Sequence, residues 1–260
     1  MCYHYFMYKP PYSKNEIRKY YPNKADLLLN DPVHLWRAET GIELIHREPD
    51  VVEQNRIWEN WNQMSESQKN TSDQKSLDLF GLTNEEHHNL LNLMGDIKYG
   101  YVNKNGQKVE EISDLVFYDD YRLQSPDELI KSKVGVCWDQ CELERYYFEK
   151  KLNKSFKIYY MEAQNKNKMT HTLLVYKYNN KYYWFENSWF QYRRIHKFET
   201  MEELFNNVSK KHIKHCNNEN KNEKTTEINW FVLKKPKYSI GCVEFMNHAK
   251  SSESIYNFII

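Results

Sequence analysis

The chain has no long apolar run, no excess of one charge and no ordered set of cysteines. No stretch approaches the ~18 consecutive apolar residues that a helix needs to cross a bilayer. The opening residues, MCYHYFMYKPPYSK, lack a charged segment followed by an apolar one, so they do not read as a secretory signal. Lys and Arg number 37 against 36 Asp and Glu, a net charge of +1. That balance leaves no electrostatic footprint for a nucleic acid or an anionic membrane. The five cysteines, at 2, 137, 141, 216 and 242, are odd in number and scattered. They form no disulfide framework and suit a reducing compartment. The expectation is a soluble, cytoplasmic protein with no nucleic-acid or membrane partner.

Metal ligation is equally thin. His34, His46, His87 and His88 match no ligand spacing, and His212, His215 and Cys216 supply at most three ligands with no fourth nearby. Neither a metal nor an organic cofactor is expected. What the chain does have is rings. Hydrophobic content is 40% but aromatic content is 15%, with 21 Tyr, 12 Phe and 7 Trp. Part of the core is therefore expected to be built from large side chains.

The first hundred residues read as a helical region. Ser13 with Glu16 and Thr83 with Glu86 have capping-box spacing. Pro49-Asp50 opens an apolar stripe through Trp58, Trp61 and Met64, and Ser72-Asp73 starts a short helix that Gly81 ends. Glu85 to His88 reads as a solvated face. Asn103-Lys104-Asn105-Gly106 is a strong turn signal. A boundary there divides the chain into residues 1–102, of no evident role, and residues 103–260.

The second part carries the chemistry. Leu115 to Tyr118 reads as a short strand, and Ser125-Pro126 starts a helix leading toward Cys137. Lys133 to Val136 reads as non-helical. From Cys137 onward Trp138, Cys141, Tyr147, Phe148 and Leu152 recur at spacings of three and four, so Cys137 opens a helix. Asp139 then sits in the first turn as a dipole-compatible surface residue. A helix N-terminus favours a thiolate over a thiol of ordinary pKa ~8.5, and its free N–H groups can hold a developing oxyanion.

SFKIYYMEA and THTLLVYKY read as strands, and NNKYYWFE as the return of a hairpin. With Asn179-Asn180 as a two-residue loop, Tyr178 faces Lys181 and His171 shares a face with Glu186, its diagonal neighbour. A three-residue loop would shift the register by one and nominate Asn187 instead. Cys137, His171 and Glu186, with Asn187 as alternative third member, thus form a candidate nucleophile–base–acid set. After the hairpin, Thr200 caps a helix through Val208. The polar run HIKHCNNENKNEKTTE reads as a surface loop, INWFVL as a last strand and Cys242 to Ala249 as a short helix.

Over residues 110–200 the order of these pieces resembles the transglutaminase-like superfamily. G-V-C-W-D opens a helix, T-H-T begins a strand and W-F-E-N-S-W follows on the next. Together with the helical reading of the first hundred residues, the resemblance implies an α+β fold: that helical N-terminal region, then a papain-like core in which a Cys-bearing helix packs on an antiparallel sheet. It implies Cys137 as nucleophile and His171 as base. The superfamily's acid is usually Asp, and Glu186 takes that place, with Asn187 where Pro is common. The implied activity is that of a thiol enzyme acting on an amide or ester carbonyl of a protein or peptide through an acyl-enzyme. Peptidases, amidases or deamidases, and transglutaminases share that scheme. The alternative is an inactive relative that serves as a protein-interaction module.

Overall fold

The computed structural model describes residues 65–110, 114–165, 168–189, 192–219 and 224–260. The helices expected between Ser13 and Met64, together with His34 and His46, lie outside the described residues. The described part is α+β, with antiparallel sheets.

Helix α1 spans Glu66–Phe80 and α2 spans Asn84–Gly95. The first begins earlier than Ser72-Asp73 suggests, but it ends at Gly81. That glycine has φ +66°, and a Cβ there would sit 2.8 Å from the Tyr178 Cβ, so both conformation and space require glycine. Thr83 and Glu86 form the expected capping box on α2. His87 is buried and stacks on Phe80 at 5.3 Å, so the Glu85–His88 stretch is not simply a solvated face. The Asn103–Gly106 turn joins a small ribbon of β1, Tyr101–Val102, and β2, Lys108–Val109.

Leu115 to Tyr118 is a helix, α3 (Asp114–Asp120), and not the expected strand. A four-residue apolar run carries no period of its own. Here the helical spacing brings Phe117 and Tyr121 ring to ring at 4.8 Å, against Tyr101 and Trp138. Helix α4 (Pro126–Ser132) has a Ser125–Glu128 capping box and leads to α5 (Cys137–Lys151).

A six-stranded sheet follows, in the order β6-β5-β4-β3-β7-β8. Its strands are β3 (Phe156–Ala163), β4 (Thr170–Tyr178), β5 (Lys181–Glu186), β6 (Arg194–Phe198), β7 (Glu227–Val232) and β8 (Tyr256–Ile259). Alternation sorts its side chains into two layers. Ile158, Tyr160, Leu174, Tyr176 and Phe185 join Trp138, Leu143 and Phe148 of α5 in one core, which also takes in Phe80, Leu90 and Met94. Tyr159, Met161, Leu173, Val175 and Trp184 join Leu204, Phe205 and Val208 in the other.

The second layer is covered by α6, Met201–Glu219. This corrects the surface-loop reading for residues 212–219 of the polar run. Leu204, Val208, His212 and Cys216 recur every four residues and are all fully buried. The helical period outranks the polar composition of the segment. Helix α7 (Cys242–Ala249) closes the first layer, stacking Phe245 on Trp138 at 4.3 Å.

The β4–β5 turn is the expected two-residue loop. Tyr178 pairs with Lys181 and Leu174 with Phe185, and Asn179 and Asn180 adopt φ 45° and 60°. Both are left-handed, as a hairpin turn that follows the strand twist requires. Replacing Asn180 by Val should cost about 1–2 kcal/mol, because a β-branched residue resists that region, whereas Gly should be neutral or stabilising. Thermal melting checks this, with roughly 2–4 °C expected per kcal/mol in a domain of this size.

Candidate functional site

The approach to Cys137 is clamped by the helix it opens. Lys133 ends α4 in a left-handed conformation, φ 58°. Gly135 follows, where a Cβ would meet Leu129 at 2.6 Å and the Asp139 Cβ at 2.9 Å. The Asp139 carboxylate accepts from the Val136 N–H (3.0 Å), the Gln124 N–H (2.8 Å) and the Tyr121 hydroxyl (3.1 Å). Gln140 Nε2 donates to the Gly135 carbonyl at 2.8 Å. Asp139 is therefore not a surface residue. It is 1% exposed, and burial lifts its carboxyl to about 7 against the pull of those donors. The first turn of α5 is buried on all sides, so its polar groups must find partners inside the protein.

His171 lies at the start of β4, on the face shared with Leu173 and Val175, and Glu186 ends β5 on the same face. His171 Nε2 and Glu186 Oε2 are 2.8 Å apart. The other oxygen, Oε1, accepts from the Ser188 hydroxyl at 3.0 Å and the Trp189 N–H at 2.6 Å. Nε2–H donates to the Glu186 carboxylate, which leaves Nδ1 on the opposite side of the ring. Nδ1 makes no hydrogen bond of normal geometry. The Cys137 thiol is nonetheless close enough to favour the protonated ring. Cys137, His171 and Glu186 are 1%, 1% and 2% exposed.

Electrostatics single out His171. Burial pushes its pKa down, but the Glu186 charge and the contacts with Cys137 and Glu186 carry it up to about 10. Its neighbours go the other way. Burial first, and then the His171 charge, lowers His212 to about 3 and His215 to about 4. His212 Nε2 donates to the Met169 carbonyl at 3.2 Å. Glu144, one and two turns along α5 from Cys141 and Cys137, is buried and pushed well above the carboxylate range, by burial first and the Glu186 charge second. One ion pair therefore stands among neutral neighbours.

Asn187 is not against the imidazole. Its Nδ2 donates to Gln140 Oε1 (2.7 Å) and to the Met94 carbonyl (3.1 Å), tying the end of α2 to α5. Trp189 faces the His171 ring edge-on at 5.2 Å. Among the described residues no group of three or more His, Cys, Asp or Glu converges as a metal site would. No family model matches the chain, and no curated protein matches it.

Glu144 and His212 were absent from the candidate set, although both had a signal. Glu144 falls seven residues after Cys137 and three after Cys141, on one helix face. His212 continues the four-residue period of Leu204 and Val208.

The His171–Glu186 contact has a testable pH signature. The folded imidazole holds its proton up to about 10, while the ordinary value is 6.5. The contact's contribution is therefore complete below the lower value and is lost as pH rises through the upper one. In Glu186→Gln the hydrogen bond survives without the charge. Its urea midpoint should vary less with pH across that window, and NMR should find the His171 pKa lowered. An unchanged titration would mean that Glu186 is not the cause.

Proposed function

We propose that the chain is a thiol enzyme acting on an amide or ester carbonyl of a protein or peptide, on a papain-like core of the transglutaminase-like kind. The observation that carries this reading is the 2.8 Å His171–Glu186 contact, with the Cys137 thiol near enough to the same ring to favour its protonated form. A Cys-bearing helix packed on an antiparallel sheet, with His and acid on its neighbouring strands in that order, agrees with it.

The chemistry follows from the positions. With His171 already holding its proton, Cys137 Sγ attacks the carbonyl carbon as the thiolate of a thiolate–imidazolium pair. The oxyanion collects near the N-terminus of α5, where the Cys137 N–H is a donor. Collapse of the tetrahedral adduct breaks the carbonyl–nitrogen or carbonyl–oxygen bond. The leaving group takes the proton from His171 and a thioester remains. Water, deprotonated by the same imidazole, then releases the acid and restores the thiol. An amine in place of water would give a new amide. Glu186 stabilises the imidazolium throughout and holds its Nε2 side.

A second reading, an inactive protein-interaction module, draws on the burial of all three side chains. Iodoacetamide separates the two. In the active reading Cys137 of the folded protein is alkylated readily near neutral pH, and His171→Ala slows that reaction. Cys137→Ser identifies the thiol. A Cys137 that labels only after denaturation would sink the enzymatic reading and favour the module.

A further inference from the structure

We propose that the Tyr160 hydroxyl is the second oxyanion donor, working with the backbone N–H of Cys137. This rests on the acyl-enzyme reading above and deepens it.

Tyr160 lies on β3, paired with Thr172, and its neighbour Met161 pairs with His171. By alternation it faces the α5 layer, the side from which Cys137 approaches. The ring is fully buried and packs with Phe231 and Phe245, and Phe245 stacks in turn on Trp138, the residue after Cys137. Yet its hydroxyl makes no hydrogen bond of normal geometry. Burying a hydroxyl without a hydrogen bond is unfavourable, so a buried phenol left in that state in the resting site calls for a role. The thiols of Cys137 and Cys242 are within electrostatic reach of it, and the Thr170 hydroxyl is beside it. Burial, foremost, holds its pKa well above the usual phenol range, so it keeps its proton as a donor throughout the working pH.

A donor that makes no hydrogen bond of normal geometry in the resting state, with only the Thr170 hydroxyl beside it, gives up little when the charge develops, which is the arrangement that favours the transition state over the ground state. The Trp138 indole N–H is the competing donor, since it too is buried without a partner. Its ring, however, is stacked on Phe245 and held at a tilt against Phe117 of α3.

The test compares two reactions at Cys137. Alkylation by iodoacetamide develops no oxyanion, whereas acylation by p-nitrophenyl acetate does. Tyr160→Phe should leave alkylation unchanged and slow the acylation burst by about 10²-fold. Its affinity for a peptide aldehyde, which forms a thiohemiacetal, should fall in parallel. Melting temperature should hold or rise, because the lost hydroxyl had no partner; a structural role would lower it. Unchanged acylation, an equal loss in both reactions, or a loss confined to Trp138→Phe would overturn the assignment to Tyr160. A wild-type thiol inert to both reagents would overturn the thiol-enzyme reading itself.

Discussion

A buried carboxylate with every bond satisfied is the constraint on which the site depends. Glu186 accepts from His171, Ser188 and the Trp189 backbone, and it is 2% exposed. An ionised carboxylate taken out of water is tolerated only when paired and hydrogen-bonded. Each of those partners is fixed by something further away. Asn179 and Asn180 set the register that puts Glu186 on the His171 face. The short turn after β5 brings Ser188 and Trp189 back over the carboxylate. Shifting the register by one residue would exchange Glu186 for Asn187 and leave a charge on the wrong side of the sheet. The fold and the ion pair therefore specify one another.

The same logic governs the other half of the site. The N-terminus of α5 is buried, so its first amides cannot rely on water. Asp139 and Gln140 reach backward to Val136 and Gly135, and Asn187 locks Gln140 to the end of α2. Cys137 is thereby fixed on a rigid frame built from polar residues that do no chemistry themselves. The first helices contribute directly, since the Met94 carbonyl is one of the anchors and Phe80, Leu90 and Met94 share the core around α5.

Much of this was legible because the signals were local. The hairpin register followed from two adjacent Asn residues, and with it the pairing of His171 and Glu186. The capping boxes at Thr83 and Ser125 were equally readable. What was missed depends on burial by distant segments. Asp139 looks like any first-turn acid until Tyr121 and Gln124 are seen to close over it. Leu115 to Tyr118 is too short to choose between helix and strand until Tyr101 and Trp138 supply the surface. His212 to Cys216 was obscured for another reason, because polar composition drew attention away from a regular four-residue period. A segment's periodicity reports its burial more faithfully than its average polarity.

The acid at position 186 bears on whether the site is built to act. The transglutaminase-like pattern carries Asp there, so Glu invites the reading of a core that has lost its chemistry. Geometry gives the longer acid a reason of its own. Glu186 reaches His171 from the adjacent strand along a diagonal, where Cβ atoms stand farther apart than in directly opposed pairs. The extra methylene spans that diagonal while the second oxygen stays on Ser188 and Trp189. An Asp at the same backbone position would have to give up one set of contacts. The imidazole it serves is the one histidine of the three in this cluster whose pKa is raised, with His212 and His215 both driven neutral beside it. The longer acid is what lets one carboxylate meet the imidazole, the Ser188 hydroxyl and the Trp189 backbone together.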